Sequence, residues 1–132
     1  QLLNEPCHFP ANEELISVIK SLESEAKSKF NMPKLAFHYG LLGSSDQFIW
    51  RDDQVKRIQK DFPDVICVEM EGASIAHVCL KFNAPLLSIR SLSDIAVADK
   101  DNTSDFSDTL GKASELAALL SVLLIEKYAN LP

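Results

Sequence analysis

A parallel α/β fold is what this 132-residue chain predicts, and three observations carry the prediction. Short apolar runs alternate with stretches of helical period. Residues 65–94 read as strand, turn, helix, strand, turn. Acidic residues follow directly on the strand ends. Val65 to Val68 is short and rich in β-branched residues, which suits a strand buried on both faces of a parallel sheet. From Gly72 to Phe82 the apolar positions Ile75, Val78, Cys79 and Phe82 recur at spacings of three and four, one helical face. Asn83-Ala84-Pro85 stops that helix, because the residue before a proline is pushed out of the α region. Leu86 to Ile89 is a second buried-strand run, which makes a βαβ unit with parallel strands.

From the start of the chain, Gln1 to Pro10 has no periodicity and reads as an irregular lead-in. Asn12 is placed to cap a helix with Leu15, Ile16, Ile19 and Leu22 on one stripe, ending near Asn31-Met32-Pro33. Lys34 to Leu42 reads as a strand weakened by Gly40, and Gly43-Ser44-Ser45-Asp46 as a turn. Arg51 to Phe62 is a short charged amphipathic helix. Beyond Asp94, Ala98 to Ser104 is polar and reads as a loop over the strand ends, able to act as a lid. Thr103 or Ser104 then caps a long last helix with Leu110, Ala113, Ala117, Leu120 and Leu124 on the face that covers the sheet. The order from Asn12 is αβαβαβα. Three strands are fewer than the usual five or six.

A hydrophobic content of 46% in 132 residues describes one globular domain with a sizeable core. The net charge of −6 and pI near 5.0 argue against nucleic acid as a partner, which would demand a basic patch. Cys7, Cys67 and Cys79 show no metal-ligand spacing; two fall in expected core segments, so they read as buried thiols in a reducing, cytoplasmic compartment. No metal and no cofactor are expected. The longest apolar stretch, Leu116 to Ile125, is too short to span a bilayer, and no membrane association or signal peptide is expected.

Ligands of open parallel sheets collect beyond the carboxyl ends of the strands. Glu69 and Glu71 follow one strand and Asp94 the other, so three carboxylates are expected on one rim. Strands lie roughly 4.8 Å apart, and groups on two such loops reach opposite ends of a nucleoside-sized molecule. Simpler roles stand beside this one. Glu69 and Glu71 suit a helix N-terminus through the dipole alone, Asp94 suits a turn, and Phe48 and Trp50 suit packing. His77, within an apolar helical segment, reads as a packed helix residue.

Val68-Glu69-Met70-Glu71-Gly72-Ala73, Ile75-Ala76-His77-Val78-Cys79 and Arg90-Ser91-Leu92-Ser93-Asp94 resemble the carboxyl half of the methylthioadenosine/S-adenosylhomocysteine nucleosidases, within the nucleoside phosphorylase and nucleosidase family. Ser44-Ser45-Asp46-Gln47-Phe48-Ile49 resembles that family's adenine-binding segment. The resemblance covers nearly the whole chain, 1–132, as a single domain. It implies a three-layer α/β/α fold with a larger, mostly parallel central sheet, whose amino-terminal part is missing here.

By that resemblance Phe48 stacks on adenine and the Ile49 backbone hydrogen-bonds its edge. Met70 packs beside the sugar, and Glu71 accepts hydrogen bonds from the ribose hydroxyls. Asp94 is the general acid that protonates purine N7, oriented by Ser93. The implied reaction is hydrolysis of the N-glycosidic bond of 5′-methylthioadenosine and S-adenosylhomocysteine, with release of adenine. Proton delivery is what makes the purine a competent leaving group, and a carboxylate near the sugar stabilises oxocarbenium-like charge. An aspartic acid that donates at neutral pH needs a raised pKa, from burial and neighbours such as Glu71.

The family's water-activating glutamate, near the amino terminus, has no counterpart here, so the chain is expected to be a fragment or truncated form. A sheet short of neighbours exposes an edge or an apolar face, so the chain is expected to associate with itself or with a missing amino-terminal half, and the family resemblance points to a homodimer. The alternatives are a purine nucleoside phosphorylase and a noncatalytic nucleoside-binding module. A phosphorylase needs a cation for phosphate, and the chain has no arginine after Arg90.

Overall fold

A computed structural model of the chain describes residues 6–92 and 105–131, with side chains in the last helix described from Ala113 onward. The element order is α1 (Glu13–Lys29), β1 (Leu41–Ser44), α2 (Asp52–Asp61), β2 (Val65–Glu69), α3 (Gly72–Lys81) and α4 (Asp105–Ala129).

Helix α1 begins as its sequence requires. The Asn12 side chain accepts a 2.9 Å hydrogen bond from the Leu15 N–H. Glu13 and Glu14 occupy the first turn and Lys27 and Lys29 the last, each favourable to the helix dipole. Beyond the Phe30 cap, Asn31 takes a left-handed φ of 53°, one of the few side chains that adopts it at modest cost. The buried stripe is shifted from the expected one. Val18, Ile19, Leu22 and Ala26 are buried, whereas Leu15 and Ile16 are only half-buried.

That stripe packs on α4. Val18, Ile19, Leu22 and Ala26 form one buried cluster with Leu120, Leu123 and Leu124, and Phe30, Phe37, Leu87 and Ile89 pack around it. The core is therefore chiefly a helix–helix seam, and α4 covers α1 where cover of the sheet was expected. Among the described residues no polar or charged residue is buried. Thr103 and Ser104, the expected caps of α4, and the expected lid at 98–104 lie outside the described residues.

The sheet is parallel, as expected, and has two strands among the described residues. Leu42 lies opposite Cys67, Gly43 opposite Val68 and Ser44 opposite Glu69, with one irregularity at Leu41/Leu42. The first strand is four residues long, where Lys34 to Leu42 was expected. Residues 34–40 are taken up otherwise: the Leu35 N–H closes a turn onto the Met32 carbonyl, and Phe37 joins the helical core. Gly43 and Ser44 belong to the strand and not to the turn after it.

Leu86 to Ile89 is not a strand. Its Leu86 carbonyl accepts from the Asn12 N–H at 2.6 Å, and Leu87 and Ile89 face the α1/α4 core. The apolar run is half-buried against that core and not buried in a sheet as expected.

Helices α2 and α3 lie close to their expected bounds. Gln54 accepts from the Trp50 and Arg51 N–H groups at 3.2 and 3.1 Å, which starts α2. Helix α3 ends at Lys81, and Asn83 follows with a φ of 51°. The described residues leave most of the expected core face of α3 open. Ile75, Val78 and Phe82 are 51%, 58% and 80% exposed, and only Ala76 is buried. It is an exposed apolar face on a helix and not on the sheet, where one was expected. Cys67 and Cys79 are half-buried and Cys7 exposed, all three as free thiols, so the expectation of fully buried thiols is not met. His77 is exposed, its ring 5.8 Å from that of Phe9.

Candidate active-site rim

Strands β1 and β2 end side by side. The register sets Ser44 opposite Glu69, and the ladder runs one step further, from the Ser45 N–H to the Glu69 carbonyl at 2.9 Å. The segments leaving these strands, residues 45–50 and 70–72, thus emerge from one rim at the carboxyl edge of a parallel sheet.

Glu69 holds that rim together. The Ser44 hydroxyl donates to its Oε1. The Gly72 N–H lies 2.8 Å from Oε1 and 2.7 Å from Oε2, and the Glu71 N–H donates to Oε2 at 2.9 Å. Arg90 Nη2 donates to Oε2 at 2.7 Å. The Ser44 oxygen in turn accepts from the Ala73 N–H at 2.8 Å. One carboxylate and one hydroxyl therefore satisfy three amides at the start of α3, the groups a helix leaves without internal partners. The absence of a side chain on Gly72 leaves room for the carboxylate. A Cβ on Gly72 would stand 2.6 Å from Glu69 Oε1 and 3.1 Å from the Ser44 hydroxyl oxygen.

The electrostatics follow from this cage. Burial pushes the Glu69 pKa upward. Donation from Ser44, the Glu71 amide, Arg90 and the Gly72 amide outweighs it and draws the carboxyl down to about 2. Glu69 is ionised at neutral pH and cannot serve as a proton donor. Nearby, burial, then the Glu69 charge, raise the Cys67 thiol pKa against the opposing pull of Arg90.

Four of the expected ligand-contacting residues, Phe48, Ile49, Met70 and Glu71, lie in the segments that leave these strands. Glu71 is the N-cap residue of α3, yet its side chain makes no capping bond and is exposed, available to a ligand. Met70 beside it is 46% exposed. Across the rim Phe48 is 61% exposed and Trp50 69%, with Ile49 half-buried between them. The Gln47 N–H donates to the Ser45 hydroxyl at 3.1 Å, which helps shape this segment. Aromatic rings so exposed contribute little to the core, which weighs against the packing role for Phe48 and Trp50. Ser93 and Asp94 lie outside the described residues, so the third carboxylate of the expected rim and its raised pKa do too.

On the strand-end argument Glu69 and Glu71 are equivalent rim carboxylates and only the family resemblance singles out Glu71; the structure separates them as well. Glu69 faces inward and is consumed by structure; Glu71 faces out. Ser44 and Arg90 were not singled out as partners of Glu69. The signal available for Ser44 was its place in a short strand of a parallel pair, opposite an acid, and for Gly72 its place directly after one. Among the described residues, no group of three or more His, Cys, Asp or Glu side chains could hold a metal ion, and no helix is long and apolar enough to cross a membrane.

In parallel α/β proteins, strand ends of this kind are where ligands collect. The chain belongs to the phosphorylase superfamily, whose family model matches residues 1–126. It is 36% identical over 129 residues to the 5′-methylthioadenosine/S-adenosylhomocysteine nucleosidase of Glaesserella parasuis, 98% of this chain and 52% of that protein. Among solved structures, a nucleosidase of the same description from Borrelia burgdorferi, bound to adenine, matches with a TM-score of 0.80 and 33% identity, over 96% of this chain and 51% of its own. Futalosine hydrolase of Helicobacter pylori matches with a TM-score of 0.76 and 26% identity, over 96% and 50%. The chain spans about half the length of these relatives.

Proposed function

We propose that this chain supplies the purine- and ribose-binding rim of an N-glycosyl hydrolase that releases adenine from 5′-methylthioadenosine and S-adenosylhomocysteine. The observation that carries the reading is the Ser44/Glu69 register, which sends residues 45–50 and 70–72 out from one rim, in a chain 36% identical to a nucleosidase.

In this reading Phe48 stacks on the adenine and the Ile49 backbone hydrogen-bonds its edge, while Met70 packs beside the sugar. Glu71 accepts hydrogen bonds from the ribose hydroxyls and its charge stabilises the oxocarbenium-like transition state. Asp94, oriented by Ser93, delivers a proton to N7 as the bond between C1′ and N9 breaks, so that adenine leaves neutral. Water adds to C1′. Its activation is assigned to no residue of this chain. No cofactor enters. The Arg90 guanidinium is engaged by Glu69 at 2.7 Å, which disfavours its use as a phosphate site and so disfavours a phosphorylase.

The uncovered face of α3 supports a homodimer, and the reaction class fits a cytoplasmic role in methionine salvage. Sedimentation that showed a compact monomer without dye-binding apolar surface would remove the dimer from the proposal. The function itself is tested by release of the free purine base from methylthioadenosine, S-adenosylhomocysteine and futalosine, with and without phosphate. Phosphate-independent release from the first two is expected. Release that required phosphate would make the protein a phosphorylase, and adenine binding without release would make the chain a binding module.

A further inference from the structure

We propose that Glu69 is a positioning residue for this site: through the Glu71 and Gly72 amides, Ser44 and Arg90, it holds ribose-binding Glu71 in register with the segment that leads to Asp94. The proposal rests on the nucleosidase reading for the roles of Glu71 and Asp94, and on geometry for the rest.

Glu69 gathers groups from three separate stretches of chain. From β1 comes the Ser44 hydroxyl, which also takes the Ala73 N–H at 2.8 Å. From the start of α3 come the Glu71 and Gly72 amides, at 2.7 to 2.9 Å. From the stretch before Ser91 comes Arg90, at 2.7 Å. The carboxylate side chain is only 11% exposed, so these bonds are shielded from competing water. A carboxylate with this many donors has no lone pair to spare for a substrate hydroxyl, whereas the adjacent Glu71 side chain has both oxygens available.

The consequence for Glu71 is direct. Its own backbone N–H is one of the bonds, so its φ of −121° and the departure of its side chain into solvent are set by where Glu69 lies. Loss of the Glu69 charge leaves the Arg90 guanidinium and the helix amides without their common acceptor. An amide oxygen in its place still accepts, but its NH2 group confronts donors on the other side. The expected result is a displaced Glu71, and with it a weakened grip on the ribose. The adenine-binding segment hangs from β1 and keeps its own bonds to Ser45 and Gln54.

The test uses Glu69→Gln, Ser44→Ala and Ser44→Thr. Ser44→Ala removes one donor but leaves the carboxylate with Arg90 and two amides, and so serves should Glu69→Gln not fold. Backbone amide resonances of Glu71, Gly72 and Ala73 are recorded without ligand. Affinities for adenine and for an unhydrolysable methylthioadenosine analogue follow on the same samples. Glu69→Gln and Ser44→Ala are expected to move all three amides. They should weaken the analogue at least about 10-fold and adenine by less than about 2-fold, because a displacement of about 1 Å costs a site heavily. Ser44→Thr, which keeps the hydroxyl, should restore both. Unmoved amides overturn the proposal, and so does an equal loss of both ligands, the mark of a merely structural residue. If the unmodified chain binds neither ligand, the nucleosidase reading fails, and the amides alone decide whether Glu69 sets the position of Glu71.

Discussion

The Arg90 guanidinium stands 2.7 Å from the Glu69 carboxylate, an ion pair that bridges 21 positions of sequence and ties the stretch leading to Ser93 and Asp94 to the end of β2. Arg90 is more than a third exposed while Glu69 is nearly buried, so the pair is anchored on its acidic side.

Acid should dissolve this anchor. The folded-state pKa of Glu69 is about 2 against an ordinary 4.5, so the unfolded chain binds more protons between those values and stability rises with pH there. The stabilisation is fully present above the ordinary value and is lost as pH falls through about 2. With solvent screening allowed for, it is about 1–2 kcal/mol. Urea unfolding of the unmodified protein and Glu69→Gln should show a gap at pH 7 that narrows below pH 4. A gap independent of pH would contradict the depressed pKa.

Gly72→Ala should destabilise the protein although alanine is the better helix former. The new Cβ meets Glu69 Oε1 at 2.6 Å, and overpacking of this kind costs about 1–3 kcal/mol against a propensity gain of about 1 kcal/mol. Thermal denaturation decides between them, and a raised Tm would show that the cage opens at no cost.

Phe48→Ala should weaken adenine binding by about 1–3 kcal/mol, the scale of lost base stacking, and leave the fold unchanged because the ring is exposed. Trp50, the sole tryptophan, lies two positions on and should report the ligand. An adenine titration that changed neither Trp50 emission nor heat would count against this site.

Asp94→Asn should keep its hydrogen bond to the purine but deliver no proton, and kcat on methylthioadenosine should fall at least about 10²-fold with adenine affinity nearly kept. Glu71→Gln should impair KM and kcat together if, as proposed, Glu71 holds the sugar on which charge develops. The assignment of roles fails if Asp94→Asn turns over normally.

Leu22 is 2% exposed at the centre of the α1/α4 seam. Leu22→Ala should cost about 2–5 kcal/mol in denaturant unfolding, the usual range for a cavity of that size. A loss under 1 kcal/mol would mean that the seam closes around the gap.

Four helices and the parallel direction of the strands were legible in the sequence, because capping residues and apolar period act within a few residues of each other. Asn12 caps α1 and Glu71 stands at the start of α3 as their neighbours require. Phe48 and Glu71 could be placed after strand ends from the sequence, whereas the ligand roles of Phe48, Ile49, Met70 and Glu71 rest on the family resemblance. Their exposure suits a ligand, but how they meet one depends on loops beyond local pattern.

What tertiary structure alone decided is where each apolar run found its partner. Leu86 to Ile89 has the composition of a strand, yet its Leu86 carbonyl bonds Asn12 and its side chains join the helical seam. Ile75, Val78 and Phe82 share a helical face that the described residues leave open. Glu69 and Glu71, two positions apart and alike in charge, parted for the same reason. Local sequence placed both at a helix start, but only the pairing of β1 with β2 brought Ser44 to Glu69, and only the chain's return brought Arg90. A hydrogen bond across 21 or 25 positions has no signature in the periodicity of either segment, because what selects it is the strand register.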